Sequence, residues 1–284
     1  MPKTALVLEG GAMRSLYTSG VLDVLMENNI EVDAVIGVSA GALTGANYIS
    51  KQIGRTKKIN LEYCDDSRYI GLRAIKNSKG LVGFNYLFDD ISQTKIPFDE
   101  QTFNSNECKF VVGATNCNTG KTEYFIKDNW DNIKRVIQAS ASMPLVSSMV
   151  EINGVNYLDG AIECNIPINW ALENNYDKII VVLTRDENYI KKPLDNKLKK
   201  IYSIVYKKYP ELLNTMYSRP DEYNKLTNKI KDLENIGRIM VLRPFNPINV
   251  ERLEKDKEKL NSLYEEGRKE TEDKLKQIMD YINS

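Results

Sequence analysis

The first fifty residues alternate short apolar runs with segments whose apolar residues recur at helical spacing. Residues 4–11 predict a buried strand that ends in glycines, and residues 15–29 predict a helix. The same order follows with a strand at 31–39 and a helix of small residues at 40–50. This repetition indicates an α/β fold, in which a parallel sheet has helices on its faces and binds ligands beyond the carboxyl ends of its strands.

The pattern continues less regularly through the rest of the chain. Hairpins are predicted at 109–126, around Asn118 and Gly120, and at 151–161, around Asn153 and Gly154. Residues 52–105 have no clean period and predict a lid or an irregular helical insertion. The remaining expectations are a helix at 132–144 that stops before Pro144, a buried strand at 177–185, a last strand at 238–245, and helices at 194–217, 220–236 and 249–283.

Composition narrows the classes of protein. Hydrophobic residues make up 42% of the 284 residues, and no run approaches the roughly 18 apolar residues of a membrane span. Thirty-nine basic residues balance thirty-nine acidic ones, which argues against a nucleic-acid partner. The apolar run at the N-terminus is too short for a signal peptide, so we predict a cytoplasmic protein. The four cysteines lack CxxC spacing, so we expect reduced thiols and no metal site.

The sequence GVSAG at 37–41 matches G-x-S-x-G and places Ser39 between a predicted strand and a predicted helix. In that motif the serine is a nucleophile on a sharp turn, where a side chain at Gly37 or Gly41 would collide with the backbone. The alternative is that these small residues only permit close packing of helix and strand.

The chain contains no histidine, so a Ser-His-Asp triad is excluded. The remaining candidate bases are carboxylate and lysine. The one S-x-x-K match, SQTK at 92–95, follows no buried strand, and we treat it as chance.

A carboxylate needs a desolvated position to act as a base, because its reference pKa is only about 4. Asp159 ends an apolar strand in YLDGA and is the candidate. The alternative is a turn aspartate that caps its own backbone.

The sequence GGAMRS at 10–15 joins the first strand to the first helix. Backbone N–H groups at such a helix start favour negative charge, so Gly10, Gly11 and Ala12 are candidate donors to an oxyanion. The segment lacks G-x-G-x-x-G spacing and is not followed by G-K-[ST], so we expect no nucleotide.

These motifs, in this order, resemble the patatin-like phospholipase family of serine acyl hydrolases. The blocks ASASMP at 139–144 and NIP at 165–167 add to the resemblance. It implies a three-layer α/β/α fold with a mostly parallel central sheet, formed by residues 1–284 as a single domain, with the motifs in 5–167 and a helical extension at 249–284. It also implies a Ser39–Asp159 dyad, an oxyanion loop at Gly10 to Ala12, and no cofactor.

Two positions depart from the family's G-G-G-x-[RK]-G loop. Ala12 replaces the third glycine and Ser15 replaces the last. We expect Ala12 to supply an oxyanion donor provided that its backbone avoids positive φ. Arg14, at the family's basic position, would either steady the loop or attract an anionic headgroup.

The resemblance implies hydrolysis of acyl lipids through an acyl-enzyme. The alternatives are a binding protein of the same fold with weak or lost catalysis, for lipid or a partner, and a soluble thioesterase or carboxylesterase. Residues 191–208 carry seven lysines and several apolar side chains, which predict either transient contact with a membrane surface or a helix whose apolar face packs on the domain. The charged helix at 249–283 is either simply solvated or a surface for self-association.

Overall fold

The computed structural model describes residues 2–71, 73–74, 80 and 82–284. Its eight strands are β1 (Thr4–Leu8), β2 (Ala34–Val38), β3 (Lys109–Asn116), β4 (Thr122–Ile126), β5 (Val150–Ile152), β6 (Val155–Asp159), β7 (Lys178–Val182) and β8 (Met240–Leu242). Its α-helices within the described residues are α1 (Ser15–Glu27), α2 (Ala40–Ile49), α3 (Arg55–Tyr63), α4 (Glu100–Ser105), α5 (Trp130–Ser140), α6 (Ile168–Glu173), α7 (Asn196–Val205), α8 (Pro210–Asn235) and α9 (Lys257–Asn283).

The strands form one sheet in the order β5-β6-β3-β2-β1-β7-β8, with β4 also paired to β3. Strands β3, β2, β1, β7 and β8 run parallel, and the other three pair antiparallel. On β1, Leu6 and Leu8 pack into a core shared with α1, α2 and α9. Ala5 and Val7 face the opposite core, shared with α6 and α8. The predicted three-layer α/β/α fold with a mostly parallel sheet is confirmed.

Strand β3 brings the ends of β2 and β6 together. Strand β2 pairs with β3 as far as Val38, opposite Gly113. Strand β6 runs the other way along β3 and ends at Asp159, opposite Ala114. Strand β4 pairs with one edge of β3 along residues that also pair with β2 and with β6. Strands β2 and β6 therefore both lie on the other edge of β3, and their carboxyl ends face each other. The residues that follow β2 therefore meet the last residue of β6.

The C-terminal helices differ from the pattern predicted for them. The predicted helix at 194–217 is interrupted at 206–209, and α8 begins at Pro210, where the first turn of a helix tolerates proline. Helix α8 then continues through Pro220, where we predicted a break. A proline there forfeits one backbone hydrogen bond, but Met216 and Tyr223 are buried in cores on either side of it. Tertiary packing thus overrides the local signal.

Two further helices have shorter bounds than predicted. Helix α5 ends at Ser140, four residues before Pro144. Helix α9 begins at Lys257 and not at 249. The Asp256 side chain caps it, because it accepts hydrogen bonds from the N–H groups of Glu258 and Lys259. Helix α9 lies directly against α1, since a Cβ at Gly20 would come within 2.2 Å of the Tyr264 carbonyl oxygen.

The described part of the segment at 52–105 is mostly helical. It contains α3, a π-helical stretch at Tyr86–Lys95 and α4. Positions 72, 75–79 and 81 of this segment lie outside the described residues. Its described part therefore agrees with the expected irregular helical insertion.

Candidate active site

Ser39 occupies the turn between β2 and α2 with φ 55° and ψ −129°. A non-glycine residue in such a conformation costs on the order of 1–3 kcal/mol, and such strain clusters at functional sites. A Cβ at Gly37 would lie 2.7 Å from the Gly41 carbonyl oxygen, and one at Gly41 would lie 2.6 Å from the Leu8 carbonyl oxygen. Both glycines are therefore needed for the turn, and the turn holds Ser39 in a strained conformation.

The side chains of Ser39 and Asp159 contact each other. Ser39 Oγ donates a hydrogen bond of 2.9 Å to Asp159 Oδ2, and both residues are buried. The other carboxylate oxygen, Oδ1, accepts the Ala161 N–H at 2.8 Å. The two interpretations of Asp159 thus coexist: one oxygen caps its own turn and the other faces the serine.

Burial raises the pKa of the Asp159 carboxyl above its ordinary value. The Ala161 N–H and the positive charge of Arg219 oppose this rise but do not cancel it. A carboxylate with raised proton affinity is better matched to removing a proton from a hydroxyl. The environment therefore supplies the desolvated position that a carboxylate base requires.

Ser140 holds the backbone of Ser39. The Ser39 N–H donates to Ser140 Oγ at 2.8 Å, and Ser140 Oγ donates to the Gly113 carbonyl at 2.6 Å. Ser140 ends α5 within the small-residue block at 139–144. Only the family resemblance pointed to that block, and nothing in the local pattern indicated a contact with Ser39.

The glycine loop lies beside Ser39, but it offers fewer donors than expected. A Cβ at Gly10 would lie 3.0 Å from the Ser39 Cβ, so the two backbones are adjacent. However, the Gly10 N–H donates to the Asn165 carbonyl at 3.1 Å and is not free for an oxyanion. The N–H groups of Gly11 and Ala12 have no acceptor among the described residues. Of the three predicted donors, Gly11 and Ala12 therefore have N–H groups without an acceptor in this part of the structure, and Gly10 does not.

Ala12 adopts φ 50°, so the condition set for it, a backbone that avoids positive φ, is not met, although its N–H group is still present. Ser15 Oγ donates a 2.7 Å hydrogen bond to the Ala12 carbonyl oxygen. A glycine at position 15 has no hydroxyl and would leave that carbonyl without this bond. The two departures from the family loop are thus linked, because the Ser15 side chain hydrogen-bonds to the strained Ala12.

Two cavities meet at Ser39. The first, of about 100 Å³, is mainly apolar, and the second, of about 170 Å³, has a more polar lining. Described residues that line both are Ala12, Ser39, Met143, Arg252 and Leu253. Side chains from 52–105 and from α2 and α5 contribute most of the apolar wall, including Leu43, Ile59, Ile70, Phe84, Leu87, Trp130 and Ile137.

The second cavity, called here the cationic cavity, contains five basic side chains: Arg14, Arg185, Lys191, Arg219 and Arg252. Sequence reasoning identified only Arg14. Arg185 lies just beyond the carboxyl end of β7, where the fold predicts ligands, so that signal was present. Lys191 was counted among the lysines of 191–208, and no local signal marked the other two.

The segment at 191–208 has both buried and exposed apolar side chains. Tyr206 is buried and Tyr202 lines the cationic cavity, whereas Ile204 is 72% exposed and Val205 is 54% exposed. None of the helices in the described part of the chain is long and apolar enough to cross a membrane.

The comparisons with known proteins agree with this fold and with the order of the motifs. Residues 6–172, more than half of the chain, match the model of the patatin-like phospholipase family. The chain belongs to that family. Residues 209–283, which include all of α8 and α9, match a second model, described as a domain of unknown function (DUF6363).

Two curated relatives match over 189 residues each. An uncharacterized protein of Escherichia coli K12, YjjU, is 30% identical over 64% of this chain and 52% of its own length. A probable lipid hydrolase of invertebrate iridescent virus 6, 463L, is 27% identical over 61% of this chain and 64% of its own length. The matched region thus spans between half and two thirds of each relative.

Among solved structures, VipD from Legionella pneumophila aligns with 97% of this chain and 67% of its own length. The identity is 13% and the TM-score is 0.47.

Proposed function

We propose that the protein is a serine hydrolase that cleaves carboxylic ester bonds of acyl lipids with a Ser39–Asp159 dyad. The observation that carries the proposal is the 2.9 Å hydrogen bond from Ser39 Oγ to the buried Asp159 carboxylate, where the apolar cavity meets the cationic cavity. Family membership and the similarity to a probable lipid hydrolase support it.

In the proposed mechanism, Asp159 accepts the hydroxyl proton as Ser39 Oγ attacks the acyl carbonyl carbon. The N–H groups of Gly11 and Ala12 stabilise the oxyanion of the tetrahedral intermediate. Asp159 then returns the proton to the leaving alkoxide, which departs as an alcohol and leaves an acyl-Ser39 ester. Water attacks that ester with Asp159 again as base, and the fatty acid leaves as the serine is regenerated.

The apolar cavity is the proposed site for the acyl chain. Its walls are mainly aliphatic and aromatic, and Ser39 lines both this cavity and the cationic cavity. Burial of each methylene contributes about 0.8 kcal/mol, so even a short acyl chain gains binding energy there. The alcohol part of the ester then extends into the cationic cavity.

The test is covalent labelling with a fluorophosphonate, together with release of octanoate from an octanoyl ester. Wild-type protein should be labelled at Ser39, and Ser39→Ala should lose both labelling and turnover. Ser105→Ala removes an exposed serine and serves as the matched control. Turnover that survives in the Ser39→Ala protein would reject the dyad.

A second candidate is a lipid-binding protein of the same fold without turnover. The strained Ala12 and the engaged Gly10 N–H favour it, because they reduce the loop to two donors. It predicts lipid binding without fluorophosphonate labelling. If labelling occurs, a panel of lysophospholipid, acyl-CoA and simple esters separates a lipase from a thioesterase or carboxylesterase.

We also propose that the α7 face contacts membrane surfaces transiently. Exposed Ile204 and Val205 lie beside the lysines of 191–208, an arrangement suited to an anionic bilayer surface. Flotation with vesicles that contain anionic lipid should recover wild-type protein, and the double substitution Ile204→Asp and Val205→Asp should reduce that recovery. Ile236→Asp, at a site 75% exposed elsewhere, is the control, and equal recovery of all three proteins would reject the contact.

A further inference from the structure

The five basic side chains of the cationic cavity have no carboxylate partner. Among the described residues, none of them makes an ion pair within 4.0 Å. The cavity's two described carboxylates are already hydrogen-bonded to other groups. Glu9 accepts hydrogen bonds from Asn165, Thr184 and Tyr223, and Asp159 accepts them from Ser39 and Ala161. The cavity therefore contains more basic than acidic side chains, and none of its described basic side chains is ion-paired to its two carboxylates.

Two of the guanidinium groups also have unused donors. Arg14 is nine-tenths buried, and its Nε has no hydrogen-bond partner. The Nε of half-buried Arg219 is likewise enclosed and unpartnered. A buried donor without a partner costs about 1–3 kcal/mol, and more when the group is charged. An anion bound in the cavity would offset part of this cost, because it neutralises the charge of the guanidinium groups.

The titration of Lys191 reflects the same crowding of positive charge. Burial, followed by the charge of Arg219, lowers the pKa of the Lys191 ammonium to about 6. A neighbouring dianion would favour the charged ammonium and raise this pKa again. The cavity thus has the electrostatics of an anion-binding site.

The same walls do not suit a positively charged headgroup. A quaternary ammonium is usually held on aromatic faces or beside carboxylates. The ring of Tyr223 already carries Lys191 Nζ at 3.7 Å from its centroid, and the ring of Tyr189 carries the Arg185 guanidinium at 4.3 Å. A choline or ethanolamine group would therefore meet a basic side chain at two of the aromatic rings that could otherwise hold it.

We infer that the cationic cavity binds a terminal phosphate dianion on the alcohol side of the ester, and so selects phosphomonoester lipids over choline or ethanolamine lipids. The inference rests on the proposed ester hydrolysis, and it names the substrate class of that same site. Guanidinium groups suit this ligand because their planar donors form paired, charge-assisted hydrogen bonds with phosphate oxygens.

The segment that matches the domain of unknown function contributes to this cavity. Arg219 and Tyr223 lie one turn apart on α8, and Arg252 lies in the loop before α9. The Arg252 carbonyl accepts the Met13 N–H at 3.2 Å, which joins that loop to the residues beside the candidate oxyanion donors. Residues 209–283 thereby take a part in headgroup selection.

Binding to Ser39→Ala protein tests the inference without turnover. Calorimetry should compare 1-octanoyl-glycerol 3-phosphate, its phosphocholine counterpart and inorganic phosphate. We expect the phosphomonoester to bind at least about tenfold more tightly than either, since it combines charge-assisted hydrogen bonds with an acyl chain. Equal affinity for the two lipids would overturn the inference. Inorganic phosphate that binds as tightly as the phosphomonoester would also overturn it, in favour of a free-phosphate site.

Substitutions locate the selectivity. Arg219→Gln and, at the exposed rim, Arg252→Gln should each lower the affinity ratio of phosphomonoester to phosphocholine lipid by about fivefold or more. Arg135→Gln, which removes an exposed arginine elsewhere, should leave that ratio unchanged. A ratio that is the same in all four proteins would overturn the assignment to these residues.

Turnover by the wild type then separates the two proposals. Phosphomonoester hydrolysis at a kcat/KM at least about tenfold above that of the phosphocholine ester supports both. Faster hydrolysis of the phosphocholine ester would overturn the headgroup inference and leave the hydrolase intact. Selective phosphomonoester binding without hydrolysis of any ester would reject the hydrolase and retain the anion site.

Discussion

Each of the two cavities that meet at Ser39 contains a buried arginine, and the two arginines have different surroundings. In the apolar cavity, the Arg55 guanidinium donates to Asn47 Oδ1 at 2.8 Å, to Ser92 Oγ at 2.8 Å and to main-chain carbonyls of the segment after the π-helix. In the cationic cavity, Arg14 has an Nε without a partner. A buried arginine whose N–H donors are hydrogen-bonded within the protein stabilises the wall of its cavity. A buried arginine with an unpartnered donor beside a cavity leaves its charge available to a ligand.

This difference indicates how each cavity would discriminate between substrates. The apolar cavity offers contact area, so it responds to the length and shape of a chain. The cationic cavity offers unpaired charge, so it responds to the charge of a headgroup. Substitutions at the junction should affect both responses, and substitutions in one wall should affect one.

The largest effect on turnover is expected from Asp159→Asn, because any ester bound across the two cavities would be hydrolysed by the same proposed dyad. The amide is isosteric but cannot accept the serine proton, so kcat should fall by roughly a thousandfold or more with KM within a few-fold. Steady-state kinetics on phosphorylated and uncharged octanoyl esters should show the same loss for each. A change confined to KM would reassign Asp159 to substrate binding.

The pH dependence should show the next largest effect. The proposed mechanism needs the Asp159 carboxylate, and burial raises its pKa, so kcat/KM should rise with pH through a midpoint above 3.8. Below that midpoint it should fall about tenfold per pH unit. Arg219 lowers the pKa of Asp159, so Arg219→Gln should move the midpoint to higher pH. A midpoint at or below the ordinary aspartate value would contradict the role assigned to burial.

A smaller effect is expected from narrowing the apolar cavity. Wild-type protein should prefer octanoyl to butanoyl esters by about tenfold or more, because four methylenes each contribute up to about 0.8 kcal/mol. Leu43→Trp, in the cavity wall, should reduce that preference to about threefold and leave headgroup selectivity in place. Ile236→Trp, at an exposed site, is the control. Loss of headgroup selectivity in Leu43→Trp would show that the two cavities are not independent.

The smallest effect is expected from Ala12→Gly. Glycine adopts φ near 50° without the Cβ clash, which should offset its greater unfolded-state entropy and stabilise the protein by up to about 1 kcal/mol. Thermal unfolding should show a rise in Tm, and kcat should change by no more than about threefold, since both donors remain. A drop in Tm of several degrees would indicate that position 12 is not strained.

Much of the sheet was predictable from local pattern. Strands β1 and β2 are short apolar runs; Glu9 and two glycines follow the first, and Ser39 follows the second. The hairpin at Asn153-Gly154 has a turn that few other sequences favour. Pro220 shows the limit of that approach. A proline signals a helix break locally, and only the packing of its buried neighbours decides that α8 continues through it.

The candidate site was predictable in part for the same reason. Ser39 and its glycines form a contiguous motif whose backbone requirements are local. Arg219 and Arg252, by contrast, lie in polar segments whose sequence resembles any solvated helix or loop. Their side chains become site residues only because α8 and the loop before α9 pack over the carboxyl ends of the strands.

The sequence by itself determined the order of the elements, the turn at Ser39 and, through the absence of histidine, that a base for Ser39 must be carboxylate or lysine. Tertiary structure decided which carboxylate meets the serine, because β2 and β6 end on adjacent residues of β3 although 120 residues separate Ser39 from Asp159. It also decided the charge of the cavity beside them. Local pattern specifies backbone conformation, whereas the approach of distant side chains depends on strand register and on packing across the whole sheet.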